Sequence, residues 1–168
     1  MFEIVPVPLT DDDLYGVQEK TPEVAEQFLL FRLGSEWYGI RMESVREVTP
    51  LLPTTRFPSL PSCVAGMTHL RGNILSVTDL KRFFGLPASP VTKHNRLIVI
   101  SCAALETALR VDETDEIISI PAGALEPPLF TLTPEQARCI EYTCSWKNRL
   151  IAILKTEKLF LLDSENSG

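Results

Sequence analysis

From Gln27 onward the chain reads as short apolar runs broken by turn residues at close, regular intervals, which predicts β-strands rather than long helices. Phe28–Leu33 is a strand, Gly34-Ser35-Glu36 a turn, and Trp37–Arg41 the returning strand. Val45–Thr49 follows as a third strand. Pro50, Pro53, Pro58 and Pro61 then interrupt any regular element between them. Val64–Leu70 and Ile74–Thr78 form a hairpin around Arg71-Gly72-Asn73, where Gly72 and Asn73 accept positive φ cheaply. Gly66, inside the first of these strands, predicts a close approach by another backbone or side chain. Asp79 caps a short helix over Leu80–Phe84, which Gly85 and Pro87 end. The fold class is therefore all-β with short helices.

The same plan then recurs. Arg41-Met42-Glu43 sets beside Arg110-Val111-Asp112, and the shift of 69 also carries Glu47 onto Glu116 and Val48 onto Ile117. Further on, a shift of 76 carries Cys63 onto Cys139, Leu75 onto Ile151, Val77 onto Ile153 and Phe84 onto Phe160. The extra seven residues of the second copy fall within Pro121–Pro134, and Lys147-Asn148-Arg149 echoes the hairpin turn Arg71-Gly72-Asn73. A duplication of this kind implies two small closed barrels of about five strands each. Each copy is too short for a generous core of its own, so the two should pack together and leave a groove at their junction. Leu75, Val77, Leu97, Val99, Ile151 and Ile153 are expected in the two cores. The first barrel is expected over about 27–84 and the second over about 96–161, with helix ends packing across. Residues 1–24, with three prolines and the acidic triplet Asp11–Asp13, read as a flexible arm ahead of a folded domain over 25–162.

Charge narrows the function. With 16 Lys and Arg against 22 Asp and Glu, the formal charge is −6, which speaks against nucleic-acid backbone binding. No apolar run reaches the roughly 18 residues of a membrane span, and Met1–Lys20 lacks the order of a signal peptide, so a cytoplasmic setting is expected. The four cysteines show no C-x-x-C spacing and read as reduced structural thiols. His69 and His94 have no third ligand or acidic partner at recognisable spacing, and neither a nucleophile elbow nor a phosphate-cradling loop is present. The acids Asp112, Glu113, Asp115 and Glu116 fit a solvated turn and strand edge better than a catalytic pair. No metal or cofactor is expected. A small-barrel hydrolase using His69, Cys63 or the Asp112–Glu116 run is the weaker alternative to a binding module.

Two stretches add a resemblance. Gln27–Ile40 followed by Val45-Arg46-Glu47-Val48, and above all Val64–Leu80 with its Leu70-Arg71-Gly72-Asn73-Ile74 centre, resemble the CheW-like chemotaxis coupling family. Ala108–Glu113 is similar to the family's Gly-apolar-x-Val-Asp motif, and the likeness extends from about Gln27 to Leu162. His69, Ser76 and Ala108 stand where the family usually has Asn, Pro and Gly. The resemblance implies two SH3-like five-stranded β-barrel subdomains. It also implies a non-catalytic adaptor that couples methyl-accepting chemoreceptors, through their cytoplasmic tips, to the regulatory domain of a CheA-type histidine kinase. Such a protein is recruited to membrane-associated receptor clusters without entering the membrane. A related chemosensory pathway, controlling surface motility or a second messenger, is the alternative setting. Val45 and Glu47 match docking positions of the family, and Arg71 matches an arginine often paired with that glutamate. Strand alternation alone puts Val45 and Glu47 on one face and Arg46 and Val48 on the other.

Overall fold

A computed structural model describes residues 24–128 and 132–160. The acidic arm and the end of the chain near Leu162 therefore lie outside the described residues, apart from Val24. The strands are β1 (Ala25–Leu33), β2 (Glu36–Arg41), β3 (Val45–Pro50), β4 (Val64–Leu70), β5 (Asn73–Asp79), β6 (Arg96–Cys102), β7 (Leu105–Val111), β8 (Glu113–Pro121), β9 (Ile140–Trp146) and β10 (Arg149–Leu154). Two short helices join them, α1 (Leu80–Phe83) and α2 (Pro134–Cys139), and residues 156–160 are helical as well. Asp79 caps α1 by accepting from the Arg82 amide at 3.3 Å, and Gly85 leaves it at φ +74°.

The strands form two five-stranded sheets, ordered β9-β10-β2-β1-β8 and β3-β6-β7-β5-β4. Neither sheet is one half of the chain, which corrects the division into consecutive barrels over 27–84 and 96–161. After its second strand each copy crosses over: β3 pairs with β6, and β8 returns to pair with β1. The crossings are short, a 3₁₀ turn over Met42–Ser44 in one copy and Asp112 in the other. Each link carries the chain straight on from the second strand of one sheet to the edge of the neighbouring sheet.

The internal repeat is visible in the ladders themselves. Phe28 pairs with Arg41 as Leu97 pairs with Arg110, both shifted by 69. Ile153 lies beside Gly39 in a parallel ladder, as Val77 lies beside Ala108. The hydrogen bond from Asp79 N to Cys63 O at 2.7 Å recurs from Lys155 N to Cys139 O at 2.7 Å. The sheets are not closed by a continuous ladder, contrary to the expectation of closed barrels. A single bridge brings each pair of sheet ends together, Thr55 to Met67 and Glu126 to Thr143. Gly66 sits beneath the first: a Cβ there would lie 2.4 Å from the Thr55 carbonyl oxygen, so only glycine lets that strand cross so closely.

Three apolar clusters result. One sheet encloses Phe28, Leu30, Ile118, Ile120, Ile151 and Ile153, and the other Leu75, Val77, Leu97 and Val99. The largest cluster lies between the sheets. There Leu29, Phe31, Leu33 and Ile40 of the β1–β2 hairpin meet Ile98, Ile100, Leu109 and Val111 of the β6–β7 hairpin. Phe31, Tyr38 and Phe84 stack through this region at ring separations of 5.7 and 5.6 Å. Strands β1 and β6 are thus buried on both faces, which is why they read as unbroken apolar runs.

Because strands are exchanged and the central cluster is shared, the two sheets should unfold together. Trp37 and Trp146 both belong to the first sheet, so their fluorescence reports that half alone. Leu97→Ala, in the second sheet, is expected to cost about 2–5 kcal/mol. It should move the urea midpoint of tryptophan fluorescence and of far-ultraviolet circular dichroism by the same amount. Separate midpoints would show independent barrels.

Candidate functional site

The second sheet ends at β3 on one side and at the β4–β5 hairpin on the other. Glu47 and Arg71 span that gap. The Arg71 Nε donates to both carboxylate oxygens of Glu47, at 3.0 and 3.1 Å, and a second guanidinium nitrogen lies 3.0 Å from Oε1. The fork geometry suits a carboxylate, and the side chain of Arg71 is 75% exposed whereas that of Glu47 is 24% exposed. Worth only about 0–1 kcal/mol to folding at such exposure, the pair adds little to stability. It lines a shallow cavity of about 240 Å³ floored by Leu75 and Val99, with Arg46 and Glu106 at its rim.

Val45 is not brought to this cavity. The β3–β6 register slips between Val45 and Glu47: Val45 faces Ile100, of the central cluster, and Glu47 faces Val99, of the second-sheet cluster. Arg46 is the extra residue of this bulge and pairs with Glu106 at 3.4 Å. The bulge corrects the simple alternation that placed Val45 and Glu47 on one face. It turns Glu47 toward the sheet ends while Val45 packs against the central cluster.

The hairpin turn also differs from its expected form. The positive-φ residues are Arg71 at 51° and Gly72 at 84°, whereas Asn73 is the first residue of β5 and pairs with Leu70. A two-residue turn with both φ positive is the type that matches strand twist, and it prefers Asn-Gly. Arginine in the left-handed region costs of order 1 kcal/mol. The turn thus holds an unfavourable residue whose side chain projects outward to Glu47.

A counterpart stands in the first sheet, missed when the sequence was read for single residues although both repeat shifts point to it. Glu116 and Lys147 pair at 3.0 Å, and Lys147 also takes a positive φ, 52°. Here the Trp146 indole also donates to Glu116 at 3.0 Å. Those two hydrogen bonds hold the Glu116 carboxyl below the usual carboxylate range. The position of Trp146 is Leu70 in the first copy, so among the described residues Glu47 is bound by Arg71 alone.

The acidic run seen in the sequence is a set of clasps, not a loose solvated edge. Asp112 meets Lys81 at 3.1 Å, Glu113 meets Arg32 at 2.7 Å, Asp115 meets Arg149 at 2.8 Å, and Glu116 meets Lys147. His69 and His94 are exposed, and among the described residues no group of three or more His, Cys, Asp or Glu could hold a metal. No helix among them is long and apolar enough to cross a membrane. A cavity of about 570 Å³ opens on the first sheet between β2, β9, β10 and α2. The junction of the sheets, where a groove was expected, is filled by the central cluster.

The sequence model of the CheW-like domain family matches residues 27–163. The chain is 26% identical over 145 residues to a chemotaxis protein CheW of Bacillus subtilis, covering 86% of this chain and 92% of that one. It is 29% identical over 149 residues to a chemotaxis protein CheW of Helicobacter pylori, covering 88% and 89%. Among solved structures, the scaffolding protein TtCheW of Thermoanaerobacter tengcongensis is similar with a TM-score of 0.72 and 29% identity, over 79% of this chain and 90% of that one.

Arg71→Asn creates the favoured Asn-Gly turn while deleting the exposed ion pair. Relief of the left-handed arginine and loss of the pair are of similar size, so stability in urea should stay within about 1 kcal/mol of the parent. A loss above about 2 kcal/mol would show that the ion pair, rather than the turn and cores, holds the sheet ends together.

Proposed function

This chain belongs to the CheW-like domain family, and from that premise we propose that it is the adaptor of a chemosensory array, coupling chemoreceptors to a CheA-type histidine kinase. It is not an enzyme. Its task is to hold other proteins in a fixed relation, so that a change in one shifts the conformational balance of the next. Residues 25–162 act as one docking domain in this reading. Residues 1–24 are a separate arm.

The observation that carries the site assignment is the exposed Glu47–Arg71 pair at the open ends of the second sheet. A charged pair adds little to the fold at that exposure. At an interface it fixes register and rejects wrong partners more than it adds affinity. Val48 and Ile74, exposed and next in sequence to the pair and its turn, supply apolar area for a partner. In this proposal Glu47 and Arg71 meet the cytoplasmic tip of a methyl-accepting receptor or the kinase's regulatory domain. Val45 acts by seating β3 on the central cluster. Recruitment to membrane-associated receptor clusters then comes through these partners, from the cytoplasm.

Arg71→Glu is the direct test. The variant should unfold at the parent's temperature within a few degrees, yet co-sediment with receptor and kinase about tenfold more weakly or worse, since like charges then face each other. The swap Glu47→Arg with Arg71→Glu should restore the internal pair without restoring assembly. Full-strength ternary assembly by the single variant would sink the site assignment.

A further inference from the structure

The internal repeat supplies its own reference for a second, unassigned site. In the first sheet Arg41 is held by two carboxylates, Glu26 at 2.8 Å and Glu141 at 2.6 Å. The repeat shifts carry Arg41 to Arg110, Glu26 to Asn95 and Glu141 to Ala65. The second copy therefore keeps the cation and lacks both anions. Asn95 is already engaged, accepting from Thr92 N and donating to the Asp112 carbonyl. Among the described residues Arg110 has no ion-pair partner. Arg110 is half-buried, and its guanidinium has five donors and no acceptor, so it calls for an anionic partner.

Where the first sheet has Glu141, the second has open space. A cavity of about 200 Å³ lies beside Ala65, lined by Arg110, Arg82 and Arg56 over an apolar floor that includes Leu52, Val77 and Leu97. No carboxylate lines it. Arg56 likewise has no ion-pair partner among the described residues, and Arg82 donates to the Ser62 carbonyl at 2.8 Å with Asp79 no nearer than 4.0 Å. A neighbouring cavity of about 400 Å³ shares Arg56, Ala65 and Arg82 and runs on past Phe57, which is 48% exposed. Three arginines and an apolar floor make a groove for an acidic segment with apolar neighbours.

We propose that this groove holds the chain's own acidic segment Leu9–Tyr15. Its Asp11–Asp13 carboxylates would stand to Arg110 and Arg56 as Glu26 and Glu141 stand to Arg41. Charge complementarity favours this occupant. Of the chain's 22 acids and 16 bases, six acids and one base lie in residues 1–23, so the net charge of −6 falls almost wholly there. Leu9, Leu14 and Tyr15 flank the aspartates and match the apolar floor. The tether favours it too, since a short linker gives an effective concentration of the order of 1 mM. Asp13 can reach about 35 Å from Val24, comparable with the width of a body this size. The inference does not depend on the adaptor reading.

The test uses the full chain and the arginine Nε–H resonances. Changing Asp11, Asp12 and Asp13 together to Asn should shift the Arg56 and Arg110 signals and leave that of Arg41 in place. Raising sodium chloride to about 1 M should reproduce the shift, because so short a screening length removes exposed attraction. Arg56→Glu with Arg110→Glu should return the Asp11–Asp13 amides to free-peptide positions, and Asp11→Lys, Asp12→Lys and Asp13→Lys added to that variant should move the amides of positions 11–13 away from those positions again. If the double variant does not fold, the triple Asn variant, altered only in the arm, still decides the matter. Arginine signals indifferent to it would overturn the proposal. So would shifts that grow with protein concentration, which would place the arm of a second copy in the groove.

Discussion

The contact on which everything else rests is the back-to-back packing of two repeat-related hairpins, β1–β2 and β6–β7. Each sends one face into its own sheet's core and the other into a shared apolar cluster. A copy of barely 60 residues buries too little surface to be stable alone. Sharing β1 and β6 between two cores apiece solves that shortage, because one strand then shields apolar area on both sides. The exchange of β3 and β8 follows from the same geometry: once the hairpins lie back to back, the nearest open edge after a short link belongs to the other sheet.

That arrangement also decides where polar chemistry can appear. Apolar side chains fill the three clusters, and ion pairs gather at the sheet ends and along the crossing at Asp112–Glu116, where the buried Lys81 is one partner. There every acid is clasped by a cation from another element. Among the described residues the ends of each sheet are joined by one bridge and by ion pairs, one in the second sheet and two in the first, instead of a continuous ladder. Such ends are where another protein can be received without disturbing either core.

Duplication gives this protein a built-in comparison. Where the copies agree, as in the paired registers and the Cys63 and Cys139 carbonyl hydrogen bonds, the feature belongs to the fold. Where they differ, the chain has been specialised. Glu116 takes a second hydrogen bond, from Trp146, where Glu47 is bound by Arg71; Arg41 has two carboxylates and Arg110, among the described residues, has none. The two features lie on the second sheet toward opposite ends of β5, the ion pair near Leu75 and Arg110 near Val77.

By itself the sequence determined the strands, the duplication with its two shifts, the short capped helix, the residues of the two sheet cores and the family. These depend on local periodicity, on turn chemistry and on motifs contiguous in the chain. It also brought Glu47 and Arg71 together, through a motif rather than through physics. Only the tertiary structure decided which strands share a sheet, because pairing depends on what lies across a gap and not on what comes next. It placed the bulge at Arg46 that parts Val45 from Glu47, and it put the left-handed residue at Arg71 instead of Asn73. It alone gave Arg110 its surroundings, since whether a charge is neutralised depends on groups brought near from distant parts of the chain.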